Sequence, residues 1–244
     1  MSAKKRSRVK NWLAVFSLAA WVLMAMFGAT VVVGLVLGWL ELAGWPIDEE
    51  NPLTVMILDV VIYVLALVVT VFGPWLVLRK SMKTTRDEMG LRGWPTWMDI
   101  LLGVGGFVVS ALVGGLAIIG LSAVLPGVNW EQEQDVGFNN IYLTGDLIKA
   151  FVALVVVAPI CEELIFRGWL YGKLRARIAA TPAVIIVSLL FALVHGQMNV
   201  GVIVFFMSVA NCLIRELTGT IYGGWIVHVT RNALAFASMF SWML

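Results

Sequence analysis

The sequence predicts an all-α fold, a polytopic transmembrane helix bundle of about seven spans, and three observations carry that prediction. Of 244 residues, 61% are hydrophobic and 13% charged, at a mean hydropathy of +0.94, which leaves too little polar surface to coat a soluble domain. Apolar runs recur at residues 12–40, 53–78, 99–125, 147 to about 172, 183–196, 198–214 and 221–243, against the ~20 residues that span hydrocarbon. The basic residues cluster in alternate connections between those runs.

The first run follows Lys4, Lys5, Arg6, Arg8 and Lys10 and is far longer than the ~7–15 residues of a signal-peptide core, so it reads as a retained span. Arg79, Lys80, Lys83, Arg86 and Arg92 separate the second and third runs, Lys173, Arg175 and Arg177 follow the fourth, and Arg215 follows the sixth. The intervening connections carry Asp48, Glu49 and Glu50, then Glu131, Glu133 and Asp135, with no Lys or Arg. By the positive-inside rule the N-terminus is expected in the cytoplasm and the C-terminus outside. Lys149 lies near enough to a helix end to snorkel. Trp12, Trp39, Trp45, Trp94, Trp97 and Trp130 suit an aromatic belt at the interfaces. Gly106, Ser110 and Gly114 offer a small-residue stripe for close packing in the third span. Asp59 is a lone acid in the second span, expected either to pair with Arg231 or to lie near the outer surface. Linkers, repeats and low-complexity tracts are absent, so residues 1–244 read as one integral membrane domain. Two cysteines, Cys161 and Cys212, fall in apolar runs and make no disulfide framework.

The polar residues inside the runs are fewer and more telling. Ala-Pro-Ile-Cys-Glu-Glu-Leu-Ile-Phe-Arg-Gly at 158–168 places Glu162, Glu163 and Arg167 within apolar sequence, where each ionisable group costs about 2.5–3.5 kcal/mol on insertion scales. On a helix Glu163 and Arg167 share a face and can pair, while Glu162 points about 100° away. Both histidines of the chain, His195 and His228, are expected within spans; His195 follows Phe191 by four residues, and Asn232 follows His228 by four. Counted from the basic ends at ~1.5 Å per residue, Glu162, His195 and His228 reach a similar depth. Pro159 lacks an amide hydrogen and disturbs the helix just before the carboxylates. Its freed carbonyl is expected either to widen a wet cavity or to be accommodated by neighbours.

Two carboxylates, two imidazoles and a carboxamide at one depth match the needs of peptide hydrolysis: a base for water, an acid for the leaving nitrogen, and donors for an oxyanion. A desolvated Glu162 suits the base, His195 can share the water or act as acid, and His228 with Asn232 can donate to an oxyanion. Two histidines and a glutamate are also a catalytic zinc set, although the HExxH signature is absent.

These residues resemble the CAAX protease and bacteriocin-processing family of intramembrane proteases, which includes the eukaryotic Ras-converting enzyme and its archaeal and bacterial relatives. The resemblance rests on EExxxR (Glu162, Glu163, Arg167) in an APxxEExxFRG setting with Ala158, Pro159, Phe166 and Gly168, on FxxxH (Phe191, His195), and on HxxxN (His228, Asn232). Met89-Gly90-Leu91 is a weaker echo of a short element before the third span. The likeness covers about residues 99–243. It implies that Glu162 activates water with His195, that His228 and Asn232 stabilise the oxyanion, and that Glu163 and Arg167 support them. The metal-free mechanism is the preferred expectation, with zinc as the alternative cofactor. The expected substrate is a membrane-embedded or lipidated peptide.

Other function classes are a non-proteolytic membrane partner of bacteriocin-immunity type, and a proton-coupled transporter relaying through Glu162, Glu163 and Asp59, which the lack of an inverted repeat disfavours. The basic N-terminus reads as a topology signal or lipid contact, with no nucleic-acid partner expected. The short loops suit a prokaryotic cell membrane.

Overall fold

The computed structural model describes residues 3–78, 83–132, 134, 136, 138, 141 and 143–241, with side chains from residue 11 in the first helix and up to residue 77 in the second. Arg79, Lys80, Glu133, Asp135, the side chains of Lys4 to Lys10 and the last residues of the seventh run therefore lie outside the described residues. Among the described residues the chain forms seven helical rods: α1 (Ala3–Leu42), α2 (Pro52–Leu78), α3 (Trp97–Val124), α4 (144–175), α5 (Ala180–Leu193), α6 (Met198–Thr218) and α7 (Tyr222–Met239). Four of them, α1, α2, α3 and α6, are long and apolar enough to cross a membrane. At 14 residues, α5 is too short to cross unaided.

Packing makes α4 the centre. It touches α1, α2, α5, α6 and α7, while α3 lies against α6 and α7, and α1 against α2. Phe166, Trp169, Leu170, Tyr171 and Leu174 are buried around all sides of α4, as expected of a helix apolar on every face. The outer helices expose large apolar side chains such as Leu35, Val77, Leu116 and Ile119, the surface that a bilayer covers. Association between such helices rests on close packing, and the predicted stripe supplies it: a Cβ on Gly106 would meet Ile214 at 2.7 Å, and one on Gly114 would meet the Ile203 backbone at 3.5 Å.

The α2–α3 connection docks on the end of α4 and α6. Arg215 donates to the carbonyls of Gly168 and Glu88, the Ile221 amide to Gly90 at 3.1 Å, and Lys173 pairs with Glu88 at 3.2 Å. Burial works against the Glu88 carboxylate, but the Thr85 amide and Lys173 outweigh it and hold its pKa below the ordinary value. Met89-Gly90-Leu91 thus sits where the loop meets α4 and α7.

Candidate active site

Helix α4 widens to π geometry in two stretches, Val152–Val157 and Glu163–Leu170; Glu162 ends the α turn between them, while Glu163 and Arg167 lie within the second. Each stretch leaves on a bond reaching five residues back, Ala158 N–H to Ala153 O and Tyr171 N–H to Phe166 O. Such bulges turn side chains away from the α register and recur at functional sites.

Glu163 and Arg167 are fully buried and pair at 2.9 Å, as the spacing predicts. The same carboxylate oxygen, Oε1, accepts from Asn211 Nδ2 at 2.9 Å and faces His228 Nδ1 at 3.1 Å. The guanidinium also lies over the Phe191 ring, 4.2 Å from its centroid. Phe191 is more than packing beside His195: its edge-on neighbours are Phe166, His195 and His228, at 5.0, 4.9 and 5.6 Å. Gly224 of α7 keeps this cluster tight, because a Cβ there would stand 3.1 Å from Asn211 Cβ and 3.2 Å from Glu163 Oε2.

Glu162, 6% exposed, turns to the other side and meets His228 Nε2 at 3.4 Å. His228 therefore bridges the two carboxylates. Two hydrogen-bond partners, Asn211 and His228, and the Arg167 charge converge on Glu163 Oε1, which suits an ionised carboxylate receiving the His228 Nδ1–H. Nε2 then faces Glu162 with a lone pair unless a second proton lies between them, so Glu162 and His228 form a pair able to hold one mobile proton. Tyr63 of α2 neighbours Glu162, and Arg231 acts on Glu162 electrostatically. With Arg167 on Glu163 and Arg231 acting on Glu162, two cations match two carboxylates.

His195 stands two residues past the end of its helix, where the sequence suggests a place within the span. Helix α5 ends at Leu193, and His195 lies in the turn before α6, ahead of Gly196 at φ +69°, a backbone that glycine adopts without strain. The span is thus shorter than the apolar run. Its Nδ1 faces the Phe191 carbonyl at 2.7 Å, one of the acceptors a helix end leaves without an amide. A carbonyl only accepts, so Nδ1 carries the hydrogen and the neutral ring presents a basic Nε2. The charge of Glu162 is felt at this ring.

Asn232 is brought to the same helix but engaged elsewhere. Its Nδ2 donates to Leu154 O at 2.9 Å, and its Oδ1 accepts from Arg231 at 3.2 Å. Leu154 follows Ala153 in the π register, so its partner five residues on would be Pro159, which has no N–H. The carbonyl that proline frees is taken by Asn232, and the alternative of an open wet carbonyl is not what forms. Asp59 and Arg231 make no ion pair among the described residues; Asp59 instead acts on Tyr63 one turn along α2. Lys149 pairs with Asp146 at 2.7 Å.

No group of three or more His, Cys, Asp or Glu side chains is arranged to hold a metal ion among the described residues. His195 engages only Nδ1 and keeps Nε2 free, whereas both His228 nitrogens face carboxylates.

Asn211 and Tyr63 are absent from the sequence-based site. Asn211 had a signal, a carboxamide inside an apolar run, 198–214; Tyr63, an amphipathic side chain among apolar neighbours, had little.

Comparison with known proteins bears out the resemblance that the three motifs carry. Residues 144–234, from the first turn of α4 to just past Asn232, match the family model described as "Type II CAAX prenyl endopeptidase Rce1-like". A Bacillus subtilis (strain 168) protein described as "Putative membrane peptidase YdiL" is 26% identical over 193 residues, covering 75% of this chain and 71% of that one. No solved structure matches. The likeness is to membrane peptidases.

Proposed function

We propose that this membrane protein is an intramembrane endopeptidase that hydrolyses a peptide bond in a membrane-embedded or lipidated peptide, with its N-terminus in the cytoplasm of a prokaryotic cell. The observation that carries the reading is the convergence of Glu162, Glu163 and His228 from separate motifs into one buried, charge-matched cluster. Intramembrane ionisable groups gathered this way are functional candidates by default.

In this reading a water lies between Glu162 and the basic Nε2 of His195. Glu162 takes one proton as the water oxygen bonds to the scissile carbonyl carbon, leaving a tetrahedral oxyanion. The second amide hydrogen of Asn232 is one proposed oxyanion donor and His228 is the other, through Nε2 once that nitrogen holds the proton shared with Glu162, a role usually worth about 2.7–4 kcal/mol per donor. The C–N bond then breaks, and the proton held by the Glu162–His228 pair goes to the leaving nitrogen. Glu163 and Arg167 hold His228 in place, Glu163 as the acceptor that fixes its tautomer. No step requires a metal, because the chain's own arginines balance the carboxylates.

The test compares newly generated peptide termini in membranes carrying wild-type protein, Glu162→Gln or His195→Ala at equal folded abundance. Termini lost in both variants support hydrolysis and identify the substrate. Identical termini in all three samples, with a cellular phenotype persisting in the variants, would instead favour a non-proteolytic partner role. Chelator resistance of the wild-type activity tests the metal-free form.

A further inference from the structure

Two cavities away from the active site, at the end of the bundle that carries the basic loops, share a wall. One, of about 280 Å³, is polar and lined by Lys83, Lys173, Arg177 and Glu88 beside Trp169. The other, of about 380 Å³, is an apolar groove between α1 and α2 lined by Leu18, Trp21, Pro74 and Val77, and it reaches the same Trp169 and Arg177.

The polar cavity is positively charged by construction. Lys173 pairs with Glu88 at 3.2 Å, so one cation is matched. Lys83 and Arg177 have no carboxylate partner among the described residues. Arg177 is held in place, its Nη1 donating to Lys173 O at 2.8 Å and its carbonyl accepting from Asn11 of α1 at 3.4 Å. Two unmatched cations at the mouth of an apolar groove have the polarity of a phospholipid turned inside out: charge at the head, hydrocarbon below it. A free anion would use the first cavity and leave the second without purpose. The groove, by contrast, lies between helices whose outward faces are apolar and lipid-facing.

We propose that the two cavities are the headgroup and acyl arms of one binding site for an anionic phospholipid, with the phosphodiester between Lys83 and Arg177 and a chain along α1 and α2. The site would tie the α2–α3 loop, α4 and α1 together from the membrane side. It rests on the membrane fold and is independent of the peptidase reading.

The test uses the full-length protein purified in a neutral detergent, with lipid retention read by native mass spectrometry during titration with phosphatidylglycerol or phosphatidylcholine. Phosphatidylglycerol is expected to be retained in preference. Lys83→Gln with Arg177→Gln is expected to weaken that retention roughly 30-fold, about fivefold per charge, while Arg86→Gln with Arg92→Gln, the same charge change on exposed loop positions, leaves it within about twofold. Ser17 also lines the groove, and Ser17→Trp, which fills it, is expected to weaken retention without removing a charge. Should Arg177→Gln impair folding, Lys83→Gln alone, at an exposed residue, carries the test with a loss of about fivefold. Equal retention of the two lipids, or equal losses in the two double variants, would overturn the proposal in favour of diffuse surface attraction. Displacement of the lipid by inorganic phosphate with no effect of Ser17→Trp would overturn it in favour of a free-anion site.

Discussion

Replacing Asn232 with alanine removes the donor that serves the Leu154 carbonyl. That carbonyl has no amide in the π register because residue 159 is proline. A buried acceptor left without a donor costs about 1–3 kcal/mol, and hydrocarbon supplies no water to replace it. Asn232→Ala should therefore destabilise the protein by that amount, a fall of roughly 2–4 °C in Tm for each kcal/mol in a chain of this size. Pro159→Ala restores an N–H at the position that Leu154 lacks. In that background the loss of Asn232 should cost little, giving a coupling of about 1–2 kcal/mol across the double-mutant cycle. Thermal unfolding of the four proteins in one detergent, followed by labelling of the buried thiols Cys161 and Cys212, measures it. Penalties that add within ~0.5 kcal/mol would refute the link between proline and asparagine. Peptide cleavage by the same four proteins separates two roles. If the amide also meets the oxyanion, Asn232→Ala stays about 10²–10³-fold slow even beside Pro159→Ala. If activity returns with stability, Asn232 is a positioning residue.

Removing one member of the buried Glu163–Arg167 pair, by Glu163→Gln or Arg167→Met, should cost about 3–5 kcal/mol, and thermal unfolding should show the double variant to be less damaged than either single one. Arg167→Lys should not restore stability, since an ammonium lacks the planar face that lies over Phe191. Gly224→Ala places a methyl between Asn211 and Glu163 and should cost about 1–3 kcal/mol, with cleavage impaired beyond what the folded fraction explains. Tyr63→Phe removes the hydroxyl of a residue neighbouring Glu162 and should lower kcat about tenfold or more with KM little changed; an unchanged kcat would remove Tyr63 from the site.

What the sequence makes legible follows from periodicity and cost. Apolar runs locate the seven described helices, although hydrocarbon length accounts only for α1, α2, α3 and α6, and expensive charges locate Glu162, Glu163 and Arg167 within one of them. The Glu163–Arg167 pair is legible too, since four residues nearly complete a turn in α or π geometry. Spacing states which residues share a face, but it does not state which helix that face meets. Asn211 donates to Glu163 from α6, 48 residues later in the chain, and nothing local to either residue announces the other. The π widening is equally hidden: the first stretch ends where Pro159 withholds an N–H and a neighbouring helix, through Asn232, takes up the carbonyl, and the second, Glu163–Leu170, has no proline to announce it. His195 eludes the helix expectation because Val194 and His195 continue an apolar run that Gly196 ends in a turn, so composition extends further than backbone geometry. The charge balance binds these pieces into one argument. Two buried carboxylates call for two cations, and the chain supplies Arg167 in contact with Glu163 and Arg231, from α7, as a charge acting on Glu162 at longer range. Moving either arginine out of reach would leave an uncompensated charge in the core, so the helices that carry the chemistry are also held in register by it.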